Sequence, residues 1–355
     1  MEIKTSYKKG DQVCPAANTE KRFGTCFTDK MFFAEYKDGK WQNAVVKNLE
    51  PFTMWPSALV LHYGQEIFEG QKAYKWSDGS IVMFRPEMNI KRFNKSAERM
   101  SMPLVDEEMF MKGLEMLVWE DREWIPSEEA HSLYIRPAMI AVDPLLGVRS
   151  GTHFYFFIID SPAGPYFPEG FNPVKIWASD TYVRTIRGGI GEAKTGANYA
   201  ATLKAMNEAR ANGYSQVLWL DGVELKYVEE ISTMNIFFVE DGKLITPNLS
   251  GGILNGITRD SVMTVAKDLG IKVEERRIPI SEICEGINTG KVTECFGSGT
   301  ACVITPVGQL GYKGKDYILN GAKTGEITQK IYDVITGIQF GKIKDKFGWI
   351  RKINK

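Results

Sequence analysis

The chain has 355 residues, 43% of them hydrophobic and 25% charged, and its 44 Lys+Arg balance 44 Asp+Glu. That length exceeds what one core usually serves, so two domains of ordinary globular composition are expected. Zero net charge argues against a dedicated nucleic-acid or membrane-surface binder, and no apolar run approaches a membrane span.

The first ten residues hold no apolar signal region and read as mature cytoplasmic sequence. Residues 1–22 are polar and are expected to form an arm. Five cysteines (Cys14, Cys26, Cys284, Cys295 and Cys302) are scattered without a Cys-x-x-Cys pair, which favours free thiols in a reducing compartment. The three histidines, His62, His131 and His153, lack metal-site spacing, so no metal is expected.

Runs 31–37, 59–63 and 81–84 read as strands. The period then changes. Ile90, Phe93, Ala97 and Met100 fall at helical spacing, predicting a helix over 89–102 that Pro103 stops. A second helix is predicted over 106–124, with Phe110, Leu114, Leu117 and Val118 on one face. Runs 133–142 and 153–160 are apolar and rich in aromatic or β-branched residues, so they read as sheet strands. Residues 161–173 contain four prolines and two glycines and are expected to link a small domain, 1–160, to a larger one, 174–355.

In the second half, 198–212 reads as a helix capped by Gly213, followed by a strand at 216–220. Asp221-Gly222 then signals a hairpin into a strand over 223–230. Further strands are predicted at 234–240, 271–278 and 292–296, with helices at 258–269 and around Ile327 to Ile338. Interspersed helices with frequent hairpins give an α+β class with mixed sheets, not a doubly wound parallel sheet.

Residues 184–200 draw the chemistry together. Gly188, Gly189, Gly191 and Gly196 surround Lys194, a candidate amine nucleophile or phosphate ligand, or else a solvated loop lysine. Residues 188–195 miss a P-loop because Ala193 stands where that motif needs glycine. Residues 251–260 run a glycine turn into a helix N-terminus, which can hold an anion. There Thr258 is expected as a helix cap or phosphate ligand. Residues 297–302 form a tight Gly-Ser-Gly-Thr turn, a possible carboxylate nest. Glu229 and Glu230 precede an apolar strand and should point to opposite faces. Arg92 and Arg99 share a helix face, and Arg136 sits inside an apolar run, where its charge needs a partner.

A loop lysine, a helix-end phosphate site, a carboxylate and spare arginines suit pyridoxal phosphate held as a Schiff base. The blocks Leu61-His-Tyr-Gly-Gln-Glu-Ile-Phe-Glu-Gly70, Leu133-Tyr-Ile-Arg-Pro137, Gln216-Val-Leu-Trp-Leu220 and Thr233-Met-Asn235 extend this. Together with 23–29, 84–92, 184–199, 251–258 and 297–302, the sequence resembles the branched-chain amino acid aminotransferases. The resemblance spans nearly the whole chain. It implies a two-domain fold-type IV architecture, like that of D-amino acid aminotransferase, and a homodimer with active sites near its interface.

By that resemblance Lys194 is the Schiff-base lysine and Arg92 the phosphate-binding arginine, with Ile257 and Thr258 adding helix-end contacts. Tyr199 bonds the cofactor's phenolic oxygen. Glu230, not Glu229, meets the pyridine nitrogen, with the cofactor-binding Thr233 beside it. Thr300 and Ala301 receive the substrate α-carboxylate, and Thr300 also borders the cofactor. Phe23, Tyr63, Phe68, Tyr134 and Val148 form the side-chain pocket, partly from the other subunit. Arg136 accepts the second carboxylate of glutamate, and Arg184 is a further active-site arginine. One departure is notable. Animal-type enzymes carry a Cys-x-x-Cys pair where Cys302 is here followed by Thr305, which puts a redox switch in doubt.

The implied reaction is ping-pong transamination of leucine, isoleucine and valine with 2-oxoglutarate. Within the fold the alternatives are a D-amino acid aminotransferase or an aminodeoxychorismate lyase. Outside enzymes the alternative is a pyridoxal phosphate carrier without turnover.

Overall fold

The computed structural model describes residues 3–6, 23–128, 130–164 and 171–354. The chain divides into two compact units, residues 1–166 with 193–196 and 338–355, and residues 167–192 with 197–337.

The first unit is built on β1 (Lys4–Ser6), β2 (Lys30–Lys37), β3 (Lys40–Asn48), α1 (Leu59–Tyr63), β4 (Glu66–Phe68), β5 (Gln71–Lys75) and β6 (Ile81–Phe84). Helices α2 (Pro86–Arg99) and α3 (Glu107–Glu120) and strands β7 (Ser132–Ala141) and β8 (Phe154–Ala163) follow. The second unit carries β9 (Val174–Ala178), α4 (Gly196–Ala200), α5 (Leu203–Ala211), β10 (Gln216–Leu220), β11 (Val228–Ile231), β12 (Met234–Glu240) and β13 (Lys243–Pro247). It continues with α6 (Ile257–Asp268), β14 (Val273–Arg276), α7 (Ile280–Thr289), β15 (Val292–Gly299), β16 (Val303–Tyr312), β17 (Lys315–Ile318) and α8 (Glu326–Gln339). The chain ends in β18 (Ile350–Ile353), which pairs antiparallel with β6 in the first unit.

Among the described residues the first sheet runs β1-β3-β2-β8-β7-β5-β6-β18, with β4 on β7. Its core joins Phe32, Ile67, Ile135, Met139 and Phe156 to Phe93, Phe110 and Leu114 from α2 and α3. Each helix begins where the chain chemistry allows. Pro86 occupies the first turn of α2, and the Asp106 side chain accepts the Met109 N–H at 2.8 Å to cap α3. The second sheet runs β11-β10-β9-β16-β15-β12-β13-β14, with β17 on β16, and an extra β11–β12 pairing closes it into a ring. Ile176, Leu218, Ile231, Ile236 and Phe238 fill its core.

Several expectations change. Residues 59–63 form a helical turn, not a strand. Gly64 closes it at φ 59, and only Leu59 of the turn is buried. A short apolar run cannot declare its own period. Residues 223–227 are loop, and only Val228–Ile231 is strand. The Asp221 carboxylate explains this, because it accepts the backbone N–H groups of Val223, Glu224, Lys226 and Tyr227. Of the linker expected at 161–173, residues 161–163 are strand, since β8 continues to Ala163 opposite Ser132, and 165–170 lie outside the described residues. Beyond Ile159 the β2 edge gives out, so Pro162 enters the strand without losing a ladder bond on that side. The helix over 198–212 breaks into α4 and α5. Most of the N-terminal arm lies outside the described residues. Cys284, Cys295 and Cys302 are free thiols as expected, whereas Cys26 is disulfide-bonded.

Gly113, inside α3, separates two opposing rules. Alanine normally stabilises a helix interior over glycine by about 1 kcal/mol. Here a Cβ would lie 2.6–2.9 Å from three ring carbons of the buried Phe32. Overpacking of this kind costs about 1–3 kcal/mol. Gly113→Ala is therefore expected to lower the thermal unfolding midpoint, and a raised midpoint would contradict the packing.

Candidate active site

Lys194 groups with the first unit, which is the larger of the two, and not with the second unit as its sequence position suggests. Three hydrogen bonds account for that. The Phe68 N–H donates to the Lys194 carbonyl at 3.0 Å, and the Lys194 N–H donates to Ser96 Oγ of α2 at 2.9 Å. The Gly196 N–H donates to the Glu66 carboxylate, which occupies the space a Cβ at residue 196 would need. The half-buried lysine then holds its Nζ 4.7 Å from the centre of the Phe68 ring.

Strand alternation assembles aromatic residues here. Tyr134 and Arg136 lie two apart on β7, and Phe68 on the neighbouring β4 pairs opposite Ala138. The Arg136 guanidinium lies 4.7 Å from the Phe68 ring centre and 5.3 Å from that of Tyr134, and its Nη2 donates to the Tyr134 hydroxyl at 3.1 Å. Phe23 meets Tyr134 edge-on at 4.6 Å. Among the described residues the buried Arg136 Nε has no hydrogen-bond partner, so it is a donor that an incoming acceptor would satisfy. Tyr63 and Val148 remain on the surface of the unit, 43% and 82% exposed.

Arg92 is fixed by Glu69, a residue sequence reasoning passed over. Arg92 Nε and Nη2 donate to the two Glu69 oxygens at 2.7 and 2.9 Å, and Asn89 adds a bond at 2.8 Å. Burial alone would push the Glu69 carboxyl up. The Arg92 charge and hydrogen bonds, the Lys194 charge and Asn89 outweigh it and hold the group below the usual glutamate range. Glu66 goes the other way. Its burial raises it more than the Gly196 N–H and the Arg136 and Lys194 charges lower it. A carboxylate inside the block Glu66-Ile-Phe-Glu69 was signal enough, by the reasoning already applied to Arg136. Arg99, by contrast, is exposed at the end of α2.

In the second unit Glu230 is buried and ion-paired to Arg184, and its Oε1 accepts the Asn235 amide at 3.0 Å. Asn235, two residues past Thr233, is a second partner that sequence reasoning did not single out. Arg184 Nη2 also donates to the Gly252 carbonyl at 3.2 Å. Thr233 is exposed in the turn between β11 and β12. Thr258 is not the helix cap. Gly256 caps α6 without a side-chain bond, and Ile257 and Thr258 form its first turn. Tyr199 lies on α4, and Thr300 and Ala301 form the turn between β15 and β16. Cys302 touches the Met234 sulfur at 3.1 Å, an ordinary packed thiol. Among the described residues no His/Cys/Asp/Glu group could hold a metal.

These groups suit pyridoxal phosphate. Taken separately, the first unit offers the Glu69-oriented Arg92 for a phosphate, and the second offers an α6 N-terminus lacking a side-chain cap for an anion and the anchored Glu230 for a ring nitrogen.

Residues 66–310 match the family described as Amino-transferase class IV. Over 329 residues the chain is 48% identical to branched-chain-amino-acid transaminase 1 of Bacillus subtilis, covering 92% of each chain. It is 52% identical over 329 residues to a probable branched-chain-amino-acid aminotransferase of Staphylococcus aureus, again 92% of each. The Escherichia coli branched-chain aminotransferase structure superposes with a TM-score of 0.76 at 28% identity, over 92% of this chain and 99% of that one. A T.th. branched-chain amino acid aminotransferase, solved with N-(5'-phosphopyridoxyl)-L-glutamate, gives 0.73 at 27% identity over 90% and 98%. The chain thus belongs to the class IV amino-transferases, enzymes that depend on pyridoxal 5'-phosphate. Within them it belongs to the branched-chain-amino-acid aminotransferases of fold type IV.

Glu69→Gln leaves the Arg92 charge without its buried counter-charge, a loss of about 3 kcal/mol at neutral pH. Because the folded-state value of Glu69 is depressed, its contribution is complete above the ordinary glutamate range. It is lost as pH falls through the folded value. Chemical denaturation of both forms across that range should show the gap closing in acid, and a gap independent of pH would refute the ion-pair account.

Proposed function

We propose that the enzyme transfers the amino group of leucine, isoleucine or valine reversibly to 2-oxoglutarate, giving branched 2-oxo acids and glutamate. It works in two half-reactions, as a cytoplasmic homodimer. The observation that carries this reading is the Lys194 amine over the Phe68 ring, in a cluster that also contains Tyr134 and the partly unsatisfied Arg136.

Pyridoxal phosphate, when bound, supplies the electron sink for the pair left as the substrate α-proton departs. Lys194 Nζ takes that proton and later returns it, as general base and then general acid. Arg92, with the first-turn N–H groups of Ile257 and Thr258, binds phosphate. Tyr199 donates to the phenolic oxygen, and Thr233 and Thr300 border the cofactor. Glu230 keeps a proton on the ring nitrogen, a task that suits a carboxylate held in place by Arg184 and Asn235.

The Thr300–Ala301 turn receives the α-carboxylate. Phe23, Phe68 and Tyr134 exclude water around a branched side chain, and Arg136 accepts the second carboxylate when glutamate replaces leucine. Tyr63 and Val148, exposed on one chain, suit the share of the pocket expected from a second copy.

Lys194→Ala is expected to abolish steady turnover and the visible absorbance of the purified protein. Retained turnover would sink the assignment. Arg136→Met separates the substrates. Losing a charge-assisted contact should raise KM for glutamate and 2-oxoglutarate about tenfold or more. KM for leucine should change far less, and equal losses for both would remove Arg136 from this role.

A further inference from the structure

Strand alternation on β11 sends the neighbouring Glu229 to a different fate from Glu230. Glu229 is 8% exposed and lines a cavity of about 470 Å³ within the second unit. That size falls among small-molecule sites. Most of its charged lining is already committed. Asp221 is occupied by backbone N–H groups, and Glu224 pairs with Arg277 at 2.9 Å. Arg277 in turn lies 3.5 Å from the Tyr227 ring centre.

Two charges are left over. Among the described residues Glu229 Oε1 accepts only the Ser250 hydroxyl, at 3.4 Å, and burial raises its carboxyl more than the Arg184 charge and Ser250 lower it. Arg187, exposed at the rim, makes no hydrogen bond or ion pair with any other described residue. Val223, Leu249 and Ile253 line the same cavity as apolar wall.

A buried acid lacking a cation, an uncommitted rim cation and an apolar wall match a zwitterion with an apolar side chain. A phosphate ester does not fit, because the buried carboxylate would repel it. We propose that this cavity is a second site, binding a free α-amino acid with an apolar side chain: its ammonium on Glu229, its carboxylate on Arg187, its side chain against Val223, Leu249 and Ile253. The choice of leucine as the probe rests on the proposed function, since it is the substrate class the enzyme would meet.

The test is calorimetric titration of leucine into borohydride-reduced holoenzyme, in which turnover is stopped. Saturable binding is expected. Arg187→Ala, at an exposed position outside the catalytic set, should weaken it about tenfold or more, as should Glu229→Gln. Isoamylamine, lacking the carboxylate, and 4-methylvalerate, lacking the ammonium, should each bind at least about tenfold more weakly than leucine. Binding that is absent, indifferent to Arg187→Ala or equalled by 4-methylvalerate would overturn the site. Should Glu229→Gln fail to fold, Arg187→Ala and the two analogues still decide. Arg187-dependent leucine binding by a chain that does not transaminate would sink the proposed function and leave this site standing. Full transamination without such binding would do the reverse.

Discussion

The peptide around Lys194 is clamped from both sides, and the position of its amine depends on that clamp. Its carbonyl is held by β4 and its N–H by α2, while the next turn is held by Glu66. A lysine side chain has rotatable bonds to spare, so its amine is only as well placed as its backbone. The glycine at 196 is part of this. The Glu66 carboxylate sits where any side chain would begin, so residue identity there follows from a hydrogen bond and not from flexibility. The same logic applies to Gly191, where a Cβ would overlap the Gly252 carbonyl that Arg184 and Thr185 bind.

Each unit also buries one arginine–glutamate pair, Arg92–Glu69 and Arg184–Glu230. Taking such pairs out of water is expensive, and a well-packed apolar replacement is often no less stable. Their value is orientation. In the first pair the two-point contact fixes the guanidinium plane on α2. In the second, Arg184 and Asn235 together fix a carboxylate on a four-residue strand. Both pairs place a charge where a flexible surface residue could not hold it.

Much of this was readable from residue types. Lys194 stood out by its glycines, Arg136 by lying in an apolar run, and Arg92 by its helix face. What stayed hidden depended on partners distant in sequence. Glu69 and Arg92 are 23 positions apart, and Lys194 and Ser96 are 98 apart. No local period reports such pairs, so the first-unit attachment of Lys194 could not be read from its neighbours. The helical turn at Leu59–Tyr63 failed for a local reason, since a five-residue, mostly apolar run fits either period. Asp221 is intermediate. Asp-Gly correctly signalled a return of the chain, and β10 does pair antiparallel with β11. The side chain's four backbone acceptances lengthened the loop beyond a two-residue hairpin.

Glu229 and Glu230 show how little separates a settled charge from an unsettled one. They are adjacent, both buried and both within reach of the Arg184 charge. Glu230 receives a direct ion pair and an amide N–H. Glu229 receives Arg184 only through space and one long hydroxyl contact, so desolvation wins. A strand that turns alternate side chains to opposite faces gives the two carboxylates different partners, and partners, not residue type, set what each can do. A cation arriving beside Glu229 would supply what Arg184 already supplies to Glu230.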